Sequence, residues 1–125
     1  MKNEQIKVMI LEDDKFLLKA YEIKFKQSGI GIISAKDGMT GLSLAEKELP
    51  SLIILDMMLP KMNGFEVLKK LKSSESLKDI PVIAVSNLGQ KKDMERALEL
   101  GAKEYLIKTN YSLDEVIEKI KKYLN

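Results

Sequence analysis

Five short apolar runs recur along the chain, and their spacing constrains the fold more than any other feature. They are Val8-Met9-Ile10-Leu11, Ile32-Ile33, Leu52-Ile53-Ile54-Leu55, Val82-Ile83-Ala84-Val85 and Tyr105-Leu106-Ile107. Most are continuous rather than alternating, the pattern of strands covered on both faces. Between them lie stripes at helical spacing: Leu18, Tyr21 and Phe25; Leu42, Ala45 and Leu49; Phe65, Leu68 and Leu71; Met94, Ala97, Leu98 and Gly101; Val116, Ile117, Ile120 and Leu124. Ser112-Leu-Asp-Glu115 opens the last stripe with a capping-box pattern. Gly29 and Gly31 divide the first helix from the second strand, Pro50 ends the second helix, Pro81 starts the fourth strand and Gly101 closes the fourth helix. This strict alternation predicts an α/β fold, a doubly wound five-stranded parallel sheet with helices on both faces and right-handed crossovers. The 125 residues suit one domain, 1–125, whose last helix is expected to run to Asn125 with no second domain after it.

Composition narrows the chemistry. The chain has no cysteine and no histidine. Thiol catalysis, disulfides, Cys or His zinc sites and imidazole bases are excluded together. Net charge is +2, and Arg96 is the only arginine among 21 basic residues, which argues against direct nucleic-acid binding. No apolar run exceeds five residues, far below the ~20 of a membrane span. The segment beginning Met1-Lys-Asn-Glu-Gln5 lacks the apolar core and cleavage site of a signal peptide, so a cytoplasmic address is expected.

In such a sheet, ligands bind beyond the carboxyl ends of the strands. Glu12, Asp13 and Asp14 follow the first run, Asp56 the third, Ser86 the fourth and Lys108 the fifth. Each has a plainer role when taken alone. The three acids suit the start of the first helix, and Asp14 its cap. Asp56 suits a turn before Pro60, Ser86 a cap on the fourth helix, and Lys108 a solvated surface. Together they deliver carboxylates, a hydroxyl and an ammonium to one edge. Carboxylates without imidazole or thiol make a hard oxygen site, for which Mg²⁺ is the natural ion. A carboxylate there can attack phosphorus and form an aspartyl-phosphate, with the metal and Lys108 neutralising the equatorial oxygens and Ser86 hydrogen-bonding another. Asp56, at the end of the central run, is the best placed nucleophile.

Four stretches then carry a family resemblance: Val8-Met-Ile-Leu-Glu-Asp-Asp14, Leu52-Ile-Ile-Leu-Asp56-Met-Met-Leu-Pro60-Lys-Met-Asn-Gly64, Pro81-Val-Ile-Ala-Val-Ser86 and Gly101-Ala-Lys-Glu-Tyr105-Leu-Ile-Lys108. They span nearly the whole chain, and it resembles the receiver domain of bacterial response regulators, the phosphoacceptor of two-component signalling. The resemblance implies a flavodoxin-like (βα)5 fold with strand order 2-1-3-4-5. It implies that Asp56 is the phosphorylated residue. Glu12 and Asp13 would hold Mg²⁺ with Asp56 and the backbone carbonyl of Met58, Asp13 as the direct ligand. Ser86 would be the switch hydroxyl, Tyr105 the switch aromatic and Lys108 the family's lysine. A sensor histidine kinase or phosphotransfer protein is the implied donor. A downstream protein is the implied target, bound by the surface of the fourth helix, fifth strand and fifth helix. Lys91, Lys92 and Lys103 either place positive charge beside that surface or are ordinary solvated lysines.

Three positions depart from the family pattern. Asn87 stands where a small residue is usual, Thr109 where a cis-proline is usual, and Met58 where some members carry a polar side chain. A trans bond between Lys108 and Thr109 is therefore expected. Slow hydrolysis of phosphorylated Asp56 is expected too, because a thioether shields an attacking water and hardly orients it.

The expected function is a stand-alone signalling receiver that catalyses its own phosphorylation and dephosphorylation but is not a turnover enzyme. An aspartate-nucleophile phosphatase would need an acid two residues after Asp56, where Met58 stands. A flavodoxin-like cofactor carrier would need a phosphate loop after the first strand, where three acids stand. The alternative is a phosphorylation-independent adaptor that keeps the receiver fold.

Overall fold

The computed structural model describes residues 6–124; the first five residues and Asn125, on which the expectations for the amino terminus and the very end of the last helix fall, lie outside them. Five strands alternate with five helices: β1 (Lys7–Leu11), α1 (Lys15–Gln27), β2 (Gly31–Ala35), α2 (Gly38–Glu48), β3 (Leu52–Asp56), α3 (Gly64–Ser73), β4 (Val82–Ser86), α4 (Lys91–Glu99), β5 (Glu104–Ile107) and α5 (Leu113–Lys121). A 3₁₀ turn, Lys108–Asn110, joins β5 to α5. The strands pair in parallel in the order β2-β1-β3-β4-β5, as the family resemblance implies.

Alternation along the strands divides the core into two halves. Met9, Leu11, Ile53, Leu55, Val82 and Ala84 pack with residues of α2, α3 and α4. Val8, Ile10, Leu52, Ile54, Ile83 and Val85 pack with Leu18, Tyr21 and Phe25 of α1 and with Val116, Ile117 and Ile120 of α5. The continuous runs are thus two interleaved period-two patterns, one for each face.

The starts of α1 and α5 follow the sequence signals, and those of α2 and α3 use caps that the spacing does not single out. The Asp14 carboxylate accepts from the Phe16 and Leu17 N–H groups, and Asp37, Asn63 and Ser112 cap α2, α3 and α5 through their side chains. The capping box at Ser112 and Glu115 is complete. Gly101 closes α4 at φ +114°, a conformation that favours glycine.

Three expectations about helix faces need correction. Leu49 is no part of a buried stripe; it is the exposed left-handed cap of α2, because Pro50 disfavours the α conformation in the residue before it. Leu98 faces outward, and Ala97 alone is buried from α4. The last helix ends at Lys121, and Leu124 packs against the core from beyond it.

Candidate functional site

The carboxyl ends of β1, β3, β4 and β5 bring the expected residues together. Glu12 and Asp56 are buried, at 3% and 5% exposure, and Ser86 is fully buried, whereas Asp13 is exposed. One carboxylate oxygen from each of Glu12, Asp13 and Asp56 lies within 4.8 Å of the others. The Lys108 ammonium donates to Glu12 Oε1 and to Asp56 Oδ2, both at 3.1 Å. The remaining oxygens are held by the backbone. The Asp14 N–H donates to Glu12 Oε2 at 3.1 Å, and the Met58 N–H donates to Asp56 Oδ1 at 2.9 Å.

The loop after β3 is fastened where the phosphoacceptor candidate sits. The Met57 N–H donates to the Val85 carbonyl, and the Gly64 N–H to the Met57 carbonyl at 3.0 Å. A β-carbon at Gly64 would stand 2.4 Å from Met57 Cα, so only glycine lets α3 start this close to the strand end. That is the physical content of the Asp56-x-x-x-Pro60-x-x-x-Gly64 spacing.

Electrostatics agree with the geometry. Burial first, then the neighbouring Asp56 charge, raise the Glu12 carboxyl above its ordinary range against the pull of the Asp14 N–H and Lys108. Burial pulls the Lys108 ammonium down, but the charges and hydrogen bonds of Asp56 and Glu12 outweigh it and leave the group raised. Two buried carboxylates thus share a single ammonium, with the exposed Asp13 carboxylate beside them. The donor set is all carboxylate oxygen, is crowded, and is short of positive charge, which fits a small hard divalent cation such as Mg²⁺.

The plainer reading fails for Ser86, while Asp56 keeps its turn role, accepting from the Met58 N–H, and adds to it. Ser86 does not cap α4; Gln90 occupies that position without a side-chain bond, and Ser86 Oγ accepts from the Leu88 N–H at 3.0 Å. Asp56 closes a fully buried strand and faces Lys108, so it is more than a turn residue. The Tyr105 hydroxyl donates to the Leu88 carbonyl at 2.8 Å. Ser86 and Tyr105 therefore grip opposite ends of residue 88. The bond between Lys108 and Thr109 is trans, as are all others among the described residues, and the 3₁₀ turn makes the bend.

Strand alternation adds a feature that sequence reasoning misses. Asp56 continues the Leu52, Ile54 series toward α1 and α5, whereas Ser86 continues the Val82, Ala84 series toward α3 and α4. The site straddles the sheet edge. Tyr21, by its spacing only a core residue, is buried under the acids, and burial together with the fields of Glu12 and Asp56 holds its hydroxyl above the usual tyrosine range. It shares a pocket of about 80 Å³ with Lys108, Val85 and Tyr111. A wider depression of about 450 Å³ on α3, lined by Glu66, Lys69, Lys70, Ser73 and Ser74, lies away from this chemistry.

Comparison with known proteins gives a consistent result. A family model described as the response regulator receiver domain matches residues 8–121. The polar-differentiation response regulator DivK of Brucella ovis is 40% identical over 117 residues, which cover 94% of each chain. The structure of the Francisella response regulator 1452 receiver domain superposes with a TM-score of 0.86 at 30% identity, covering 96% of this chain and 97% of that one. The Mn²⁺-bound form of response regulator Rcp1 superposes with a TM-score of 0.80 at 27% identity, covering 94% and 90%. No helix among the described residues is long and apolar enough to cross a membrane.

Proposed function

The chain belongs to the response regulator receiver domain family, and from that premise we propose that it accepts a phosphoryl group on Asp56 in a two-component phosphorelay. Receiver domains of this family are signalling proteins rather than turnover enzymes. The observation that carries the reading is the buried Asp56 carboxylate, bridged by Lys108 to Glu12 and gathered with Asp13. A carboxylate oxygen of Asp56 attacks phosphorus, and the bond from phosphorus to the donor breaks. The electron pair returns to the donor, the imidazole of a histidine kinase or phosphotransfer protein.

Each neighbouring group has a task in that step. Lys108 meets charge developing on the phosphoryl oxygens. Glu12, Asp13, Asp56 and the Met58 carbonyl would hold Mg²⁺, which supplies further positive charge to those oxygens; the Mn²⁺-bound Rcp1 structure supports an ion in a receiver of this fold. Ser86 leaves the Leu88 N–H to bond a phosphoryl oxygen. That loosens residue 88, to which Tyr105 is also tied, and biases the α4-β5-α5 surface toward a form that a downstream protein selects. The reading involves no direct nucleic-acid contact and no membrane insertion, and it puts the chain in the cytoplasm.

Incubation with Mg²⁺ and acetyl phosphate, followed by intact mass, tests it. One added phosphoryl group is expected in the wild type and none in Asp56→Asn, with Asp13→Ala strongly impaired but folded. A wild type that stays unmodified would favour the adaptor reading.

A further inference from the structure

We propose that Met58 is an oxidation site, and that its sulfoxide shortens the life of the phosphoryl group on Asp56. The second half rests on the phosphoacceptor reading; the first does not. Met58 is 54% exposed, while its neighbour Met57 is 1% exposed and Met9 is fully buried. Among the described methionines only Met39, at 63%, is comparably open, and it lies in the first turn of α2. Met58 is therefore one of two thioethers that an oxidant in solvent reaches freely, and it is tied to the phosphoacceptor. Its N–H donates to Asp56 Oδ1 at 2.9 Å, so its side chain begins one hydrogen bond away from the reacting carboxylate.

The chemistry needs a peroxide and nothing from the protein. The thioether sulfur attacks an oxygen of hydrogen peroxide, the O–O bond breaks, an S–O bond forms and water leaves. Sulfur loses two electrons and the peroxide gains them; a sulfoxide reductase reverses the step. The product differs from the thioether in the property that matters beside a phosphoryl group. A thioether is a very weak hydrogen-bond acceptor, and the sulfoxide oxygen is a strong polar one. Beside Asp56 it would accept a hydrogen bond from the water that attacks phosphorus, and so hold that water for the step. Oxidation thus converts a shield into an acceptor without altering Asp56, Lys108 or the carboxylates.

The experiment uses the whole chain. Wild type, Met58→Leu and Met39→Leu are each treated with dilute hydrogen peroxide, mapped by peptide mass, loaded with acetyl phosphate and Mg²⁺, and followed as the phosphoryl group is lost. Each protein is compared with its own untreated sample. One added oxygen on Met58 is expected, with decay accelerated roughly three- to tenfold, the factor of one ordinary hydrogen bond. Met39→Leu should show the same acceleration and Met58→Leu none. A Met58 left unoxidised while Met39 is converted would overturn the proposal, and so would a Met58 sulfoxide whose decay rate is unchanged. Failure of the untreated wild type to take up any phosphoryl group would show itself before the decay is followed, and would overturn the parent reading and the second half of this one, while the peptide map decides the first half by itself.

Discussion

Within β3, Ile53 and Asp56 are both buried, three residues apart, yet opposite rules govern them. Ile53 sits in the apolar half-core shared with α3, where removal from water is itself stabilising. Asp56 lies at the strand end with a second buried carboxylate, Glu12, and one ammonium; there removal from water costs free energy, and the lysine only partly offsets that cost for Glu12, whose carboxyl stays raised. Burial therefore does not tell the two regions apart; what each buried group meets does. The interior is arranged for stability, and the carboxyl edge gives some of that stability up to keep like charges together.

The largest expected effect tests the interior. Ile53→Ala should lower stability by about 2–5 kcal/mol, measured by urea unfolding, because it removes buried methyl groups and leaves a cavity. Lys108→Met comes next and tests the edge. It removes the one cation from Glu12 and Asp56, and a loss of about 2 kcal/mol in chelator is expected, below the 3–5 kcal/mol of a wholly buried pair because the Lys108 side chain is 21% exposed. If Lys108→Met were as stable as the wild type, the carboxylates would not be short of positive charge and the contrast would fail.

Removing an acid should act in the opposite direction. Glu12→Gln in chelator is expected to gain about 1 kcal/mol by relieving desolvation and the Asp56 repulsion, and Asp13→Asn less, since Asp13 is exposed. The pH dependence has a definite sign. The folded-state pKa of Glu12 is raised, so its contribution is favourable below the ordinary glutamate value of 4.5 and is lost as pH rises through the raised value. The midpoint gap between Glu12→Gln and wild type should therefore be widest at neutral pH and close as pH falls toward 4.5. Mg²⁺ should narrow the gap at neutral pH by binding the native wild type. A gap that widens on acidification would show that Glu12 is not strained by its neighbours.

Much of both regions was legible in the sequence, for a shared reason. Strands buried on both faces leave continuous apolar runs, and a site at their carboxyl ends leaves Glu12, Asp56, Ser86 and Lys108 directly after them. What escaped depends on facing, which spacing alone does not settle. Leu98 keeps helical spacing with Met94 and Gly101, yet faces solvent because α4 meets the body of the protein along a narrow strip. Lys72 has the sequence context of any surface lysine. Its ammonium donates to the Lys78 and Ile80 carbonyls, fastening the loop before β4, and its stem lies where a β-carbon on Gly101 would stand. The placement of Tyr21 beneath the acids follows from α1 crossing the sheet at that point, a fact of packing with no local signal.

The smallest expected effect concerns a difference within the edge itself. Four helices start there with a side-chain cap, from Asp14, Asp37, Asn63 and Ser112, and α4 starts at Gln90 without one. An uncapped start leaves orphan N–H groups to solvent, and α4 has little burial to compensate, since Ala97 is its only buried residue. The segment just before it, from Ser86 to Leu88, is the one held by the Ser86 and Tyr105 hydroxyls. The edge is thus fixed by capping everywhere except where the Ser86 and Tyr105 hydroxyls attach, and α4 should open more readily than α5. Gln90→Ser installs the missing acceptor, and a gain of about 0.5–1 kcal/mol is expected from the usual worth of an N-cap. Hydrogen exchange should slow in the first turn of α4 and stay unchanged in α5, whose capping box is already complete. Equal protection of α4 and α5 in the wild type, or a Gln90→Ser variant that slows both alike, would mean that capping does not separate the mobile part of the edge from the fixed part.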